Sequence, residues 1–185
     1  PADASLLVGR AEVLRHLGRA MDGLSDLHRA LEANPDERHG LRARARAYLG
    51  MGRHVDALRD VEAVLAQDPR DRVALTQRPD ILRRLGRIEE ALSASAEAIA
   101  LRPDDDALHF VRALVERGIG AFAAAETDLR RALAIARARS QSLGRAVAGT
   151  LDEVIYLAAL GETTDAKASA RAVLERGVPR DEAQA

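Results

Sequence analysis

The chain has 185 residues, with 28 basic and 29 acidic side chains, no cysteine and no tryptophan. That length suffices for a packed core. The near-zero net charge supplies no electrostatic footprint for nucleic acid or an anionic membrane, and the missing cysteines exclude disulfides, thiol nucleophiles and thiolate metal sites. No apolar run approaches the roughly 18 residues that span a bilayer, and Pro1-Ala2-Asp3 carries no signal pattern, so a cytoplasmic protein is expected. The absent Met points to a processed product or an excised piece of a longer protein. Ala, Leu and Arg dominate in a bacterial-like composition with 2 % aromatics; these are helix formers, and the expectation is all-α.

In chain order, helical patterns come in pairs. Leu7, Ala11, Leu14 and Leu17 follow Asp3 and stop at Gly18; a second pattern runs through Gly23, Ala30 and Leu31 to Pro35. Glu37 then precedes Leu41, Ala45, Tyr48 and Met51, ending at Gly52, and "HVDALRDVEAVLAQ" places Leu58, Val61, Val64 and Leu65 on one face before Pro69. Asp71 opens a third pair, in which Pro79 falls mid-helix. A proline there removes a backbone bond and crowds the carbonyl four residues back. The reading takes a helix already under way from about Arg72 and kinked at Pro79; the alternative is a helix that starts at Pro79. The fourth pair lacks its terminal proline, so its second helix is expected to continue to about Ser140, with a turn near Ser142 to Gly144. A fifth pair, "TLDEVIYLAALGETTDAKASARAVLERG", carries Gly161, Ala166, Val173 and Leu174, with the last helix expected from about Thr164 to Arg176. The final "GVPRDEAQA" is no obvious capping helix.

These pairs share one register. Gly18, Gly52, Gly86 and Gly120 stand 34 apart, as do Pro35, Pro69 and Pro103, and the acids Asp3, Glu37, Asp71 and Asp105. Each acid is placed to cap a helix start, each glycine to take the left-handed conformation at a helix end. One hairpin cannot bury its apolar faces alone, so neighbours must stack.

The period and columns resemble the tetratricopeptide repeat family. Ala11, Ala45 and Ala113 match its small residue in the first helix; Ala57, Ala91 and Ala125 match the one early in the second, and Ala30, Ala98 and Ala132 the later one. The usual aromatics are mostly replaced, with Leu7, Leu41 and Leu75 in the Trp column, although Tyr48 and Phe122 survive. The resemblance implies an all-α, right-handed αα-superhelix (solenoid) of five helical hairpins, about ten antiparallel helices. It implies one domain over 1–185, with units 4–37, 38–71, 72–105, 106–139 and 147–180 and an insertion at 140–146.

Nothing in the chain assembles into catalytic chemistry. No two of His16, His28, His39, His54 and His109 stand three or four apart, so metal ligation is not expected. Phosphate-loop and GxSxG patterns are absent. "LGMGRH" falls on the helix-end column and reads as a turn, and Asp104 to Asp106 precede a helix start and read as capping. No enzyme and no cofactor are expected.

Function is therefore sought on a surface. The resemblance implies that first helices line a concave groove. The positions assigned to it are Val8, Glu12, Arg15 and His16; His39, Arg42, Ala43 and Arg46; Thr76, Gln77, Asp80, Arg83 and Arg84; Ala107, Phe110, Val111 and Leu114; and Leu151, Asp152 and Ile155. The first half is basic through Arg15, Arg42, Arg46, Arg83 and Arg84. The second half is apolar. The matching occupant is a protein or peptide with carboxylates at one end and apolar side chains at the other, since Arg grips carboxylates through paired hydrogen bonds and Phe110 with Leu114 offers an apolar anchor. The competing reading is a solvated face with each Arg paired locally. Family members that clamp chaperone carboxylates use Lys and Asn; Val8, Glu12, Ala43, Val73 and Gln77 stand there instead, so no chaperone tail is expected. The leading expectation is a non-catalytic protein-interaction scaffold. The alternatives are a regulatory arm cut from a larger signalling ATPase or transcription regulator, and an RNA-binding helical array, which the low aromatic content disfavours.

Overall fold

A computed structural model describes residues 4–142 and 150–177. Among the described residues there are ten helices and no strand: α1 (Ala4–His16), α2 (Ala20–Ala33), α3 (Arg38–Gly50), α4 (His54–Gln67), α5 (Arg72–Arg84), α6 (Ile88–Leu101), α7 (Asp106–Gly118), α8 (Phe122–Ser142), α9 (Leu151–Leu160) and α10 (Thr163–Gly177). They fall into two compact units, one ending at Leu101 with α1 to α6, the other starting at Arg102 with α7 to α10. Within each unit consecutive helices pack as hairpins, and in the first unit α1 also touches α3 and α3 touches α5.

The expected punctuation is present in detail. Gly18, Gly52, Gly86, Gly120 and Gly161 all adopt positive φ, between 72° and 82°, a conformation that costs an L side chain roughly 1 kcal/mol. Three acids of the column cap the helices they precede, while the fourth, Asp3, lies outside the described residues. The Glu37 carboxylate accepts from the His39 and Gly40 amides, Asp71 from Ala74 and Asp105 from Ala107. The small columns sit where helices meet most closely, with Ala11, Ala45, Ala57, Ala91, Ala113 and Ala125 all buried. Gly23 is the extreme case: a Cβ built there would stand 2.9 Å from the Ala11 carbonyl oxygen and 3.1 Å from its Cα. Both are backbone atoms and cannot swing aside. Gly23→Ala is therefore expected to destabilise the chain by about 1–2 kcal/mol through overpacking, although Ala is the better helix former; equilibrium denaturation checks this, and a gain in stability would mean that α1 and α2 can separate at little cost.

Helix α5 runs through Pro79 without restarting, and Pro79 is fully buried. Its cap is Asp71, so the alternative of a helix beginning at Pro79 is corrected: cap and apolar column together hold the first turns ahead of the proline. The Thr76 hydroxyl donates to the carbonyls of Val73 and Arg72, at 2.8 and 3.1 Å. Helix α8 is the longest. Where earlier hairpins close with proline, Arg137 stands, and the helix continues to Ser142. The turn expected near Ser142 to Gly144 reaches into residues outside those described, as does the tail after Gly177. Helix α9 is capped by Thr150, whose hydroxyl accepts from the Glu153 amide at 3.1 Å.

Candidate partner-binding surface

The arginines assigned to the basic half of the first-helix face are not a row of bare charges. Arg38 donates to Asp68 at 2.8 Å and Arg42 to Asp71 at 2.9 Å. Arg46 of α3 pairs with Glu12 of α1. Arg83 and Arg84 both donate to Asp80, at 2.6 and 2.8 Å. Burial disfavours the Asp80 carboxylate, but hydrogen bonds from Arg84 and Arg83 override that and hold its pKa below the usual carboxylate value. Arg42 thus stabilises the carboxylate that caps α5, and Arg46 ties the first two hairpins together.

Three polar atoms on this face have no partner among the described residues: Nε of Arg15, Nε of Arg46 and Oε1 of Gln77, all buried. Arg15 directs its Nη2 toward His16 Nε2 at 2.7 Å, while its buried Nε finds no partner among the described residues. An unmet buried donor costs roughly 1–3 kcal/mol.

Two assigned groove positions are corrected. Val8 and Ala43 do not face solvent; they are buried with Leu7, Ala11, Leu27, Ala30 and Ala47. The first helices lie close enough that these positions are consumed where α3 packs on α1 and α2.

In the second unit the apolar residues divide. The Phe110 ring lies 5.2 Å from that of Tyr156 at 45°, an intra-unit contact between α7 and α9, so Phe110 is half-buried. Val111 and Leu114 are also half-buried. Leu151 and Ile155 on α9 stay open, Leu151 at 67 % exposure.

A repeated ion pair escaped the sequence reading. Arg10, Arg44 and Arg112 of the first helices donate to Asp26, Asp60 and Asp128 of the second helices, each sixteen residues on, as two-point contacts of 2.5–2.8 Å. The acids are buried. At Asp128, burial works against ionisation, yet hydrogen bonds from Arg112 and His109 override it and its pKa is lowered. In the third hairpin Arg78 keeps its place, but Ala94 stands where the acid should be; Arg78 reaches Glu97 at 3.2 Å, and its buried Nε donates to nothing among the described residues. The signal was available, since these residues recur at the same 34-residue spacing.

A second network joins α7, α8 and α9. Asp106, fully buried, accepts from Arg139 at 2.5 and 3.0 Å and from the Tyr156 hydroxyl at 3.0 Å. Burial first, and then the Asp106 charge, push the Tyr156 hydroxyl pKa upward. Arg139 also reaches Asp152, and Arg137, which replaces the missing proline, donates to the buried Glu153 at 2.9 Å. Of the three acids at Asp104 to Asp106, then, only Asp105 acts as the expected cap.

Among the described residues no group of three or more His, Asp or Glu side chains is placed to hold a metal ion, and no helix is long and apolar enough to cross a membrane.

Paired antiparallel helices with left-handed glycine stops and small residues at the crossings define an all-α helical-hairpin repeat protein. A family model described as tetratricopeptide repeat matches residues 8–72 and 80–142, and the chain belongs to that family. The interval between the matches, 73–79, is the part of α5 that leads up to and includes Pro79. Among solved structures, the chain resembles a thermophilic TPR protein of Thermus thermophilus, at 25 % identity over 96 % of this chain and 93 % of that one, with a TM-score of 0.69. It also resembles a tetratricopeptide repeat protein from Parabacteroides merdae (18 % identity, 97 % and 67 % covered, TM-score 0.65). A third is MamA from Desulfovibrio magneticus (14 % identity, 98 % of both chains covered, TM-score 0.62). No curated protein sequence matches the chain.

Proposed function

We propose that the chain is a non-catalytic interaction scaffold whose first-helix faces take a protein or peptide carrying an acidic segment and an apolar segment, each read by its own unit. Membership of the tetratricopeptide repeat family is consistent with a protein-interaction scaffold. The observation that carries the finer reading is the pair of buried, unpartnered guanidinium edges, Arg15 Nε and Arg46 Nε, on neighbouring first helices. Arg42, Arg83 and Arg84 of that face are already held by Asp71 and Asp80 and contribute framework rather than free charge; Arg46 pairs with Glu12 through Nη2 and keeps only its Nε unmet among the described residues. In the second unit Leu151 and Ile155 supply the apolar contact.

The experiment is selection of displayed random peptides on the wild-type chain and on Arg15→Gln/Arg46→Gln. Wild type is expected to enrich peptides with Asp or Glu, and the variant to bind those same peptides roughly tenfold more weakly or worse, the range for charge-assisted hydrogen bonds. Selected peptides without carboxylates, or equal binding to both chains, would sink the reading. Arg42 is a poor choice for this test, because its loss would strip the α5 cap of its counter-charge.

A further inference from the structure

One column of the second helices changes character inside the second unit. Leu24, Leu58, Leu92 and Glu126 stand 34 apart. Leu24 and Leu58 are buried and Leu92 is half-buried, whereas Glu126 has 56 % of its side chain exposed. Its carboxylate is held along α8 by Arg130, at 2.9 and 3.0 Å, and Arg130 also reaches Glu162 at 3.3 Å. A charged group of this kind stays in water, because taking it into an apolar joint is costly.

Beside Glu126 the joint between α8 and α9 is unfilled. A hollow of about 210 Å³, open to solvent, is lined by Phe122, Ala125, Glu126 and Leu129 of α8 and by Ala159 and Leu160 of α9. Arg117 flanks it and donates to the Ala159 carbonyl at 2.7 Å. The floor is apolar: Ala125 and Leu129 are buried, and Ala159 and Leu160 pack half-buried against them. An apolar cavity of about 150 Å³ holds a benzene-sized guest, so one bulky side chain fits here. Phe122 at the lip is 67 % exposed, and Ile119, in the turn just ahead of it, 49 %. Both walls, α8 and α9, belong to the second unit, so this is a joint that the chain completes except for one side chain.

We propose that the hollow is a socket for one leucine-sized apolar side chain carried by a partner protein. The register names the guest, because leucine occupies this position in three other hairpins. Phe122 and Ile119 name the carrier: they continue the apolar surface outside the hollow, where a single enclosed molecule would leave them bare. A side chain seated in a pocket and ringed by further apolar contacts is how protein interfaces are anchored. The socket uses none of Arg15, Arg46, Leu151 and Ile155, and it stands or falls separately from the proposed first-helix surface.

Peptide display on the Arg15→Gln/Arg46→Gln chain tests it, because that bait lacks the two guanidinium groups assigned to acidic peptides. Enriched peptides are expected to share a Leu, whose replacement by Ala should weaken binding roughly tenfold or more. Adding Glu126→Leu to the bait fills the hollow from inside; it should raise the denaturation midpoint and weaken the same peptides by a similar factor. Adding Glu126→Ala instead leaves the hollow open and should bind them as before. Peptides that bind the Glu126→Leu bait equally well sit elsewhere, on Leu151 and Ile155 for instance, and would overturn the inference. So would a loss of binding with Glu126→Ala, which makes the carboxylate the determinant, or a lower midpoint with Glu126→Leu, which shows that a leucine at 126 does not fit the hollow. A selection that enriches no peptide would overturn it as well. Sedimentation velocity of the wild type reads the remaining occupant: self-association that Glu126→Leu abolishes would make the guest a second copy of the chain and overturn the assignment to a separate partner.

Discussion

Arg112→Met is expected to cost about 3 kcal/mol of stability at neutral pH, roughly 6–12 °C in Tm. Asp128 lies within the α7–α8 hairpin with 6 % of its side chain exposed, and Arg112 covers it with contacts of 2.5 and 2.7 Å. Methionine keeps much of the packing of the Arg stem and removes its charge, so the variant isolates the cost of a buried carboxylate left with His109 alone. The pH dependence has a definite sign. The folded pKa of Asp128 is lowered, so its contribution is present above the unfolded carboxylate value of about 4 and is lost as pH falls through the folded value. In the variant that carboxylate is penalised only while ionised. The gap between the proteins should therefore be widest near neutrality and narrow in acid. A gap independent of pH would assign the loss to packing instead. The companion variant reverses the direction: Ala94→Asp supplies the acid missing opposite Arg78 and is expected to raise stability by about 1 kcal/mol. Denaturant titrations of both variants read the two effects.

The second large effect is expected from Arg139→Met. It strips the counter-charge from Asp106, whose side chain is 2 % exposed, and breaks the contact with Asp152. A cost of about 3 kcal/mol is again expected, but confined to one unit. Among the described residues Tyr156 would remain on Asp106, and Arg137–Glu153 would still join α8 to α9 by charge. Hydrogen exchange should show α9 and α10 losing protection while α1 to α4 keep theirs, because stability is distributed over cooperative segments. Tyr156→Phe, which leaves the arginine in place, should cost about 1 kcal/mol. Uniform loss of protection along the chain would show that α9 and α10 do not open as a separate segment.

Both effects rest on residues that a reading for apolar periodicity passes over. Arginine and aspartate look like solvated surface, and only the hairpin geometry brings residues sixteen apart into one buried pair. Asp106 shows the same blindness at closer range. In sequence it is one of three acids before a helix; in space it is the anchor of α7, α8 and α9, because Arg139 and Tyr156 arrive from helices far along the chain. The arginines of the first helices were legible as composition but not as electrostatics, since whether Arg42 is free depends on Asp71 lying 2.9 Å away on another hairpin.

By itself the sequence determined the hairpin repeat. Helix starts, stops and crossings depend on local backbone chemistry: a carboxylate for free amides, a glycine for positive φ, a small residue where helices touch. Each leaves a mark every 34 residues. It likewise marked α8 as long, through the missing proline. Tertiary structure decided which charges are spent inside the fold and which remain open. It consumed Val8 and Ala43, paired Arg42 and Arg46, and left Nε of Arg15 and of Arg46 buried without a partner among the described residues. The reason is range: capping and glycine conformation act within one turn of helix, whereas pairing and burial depend on which distant side chains the packing brings together.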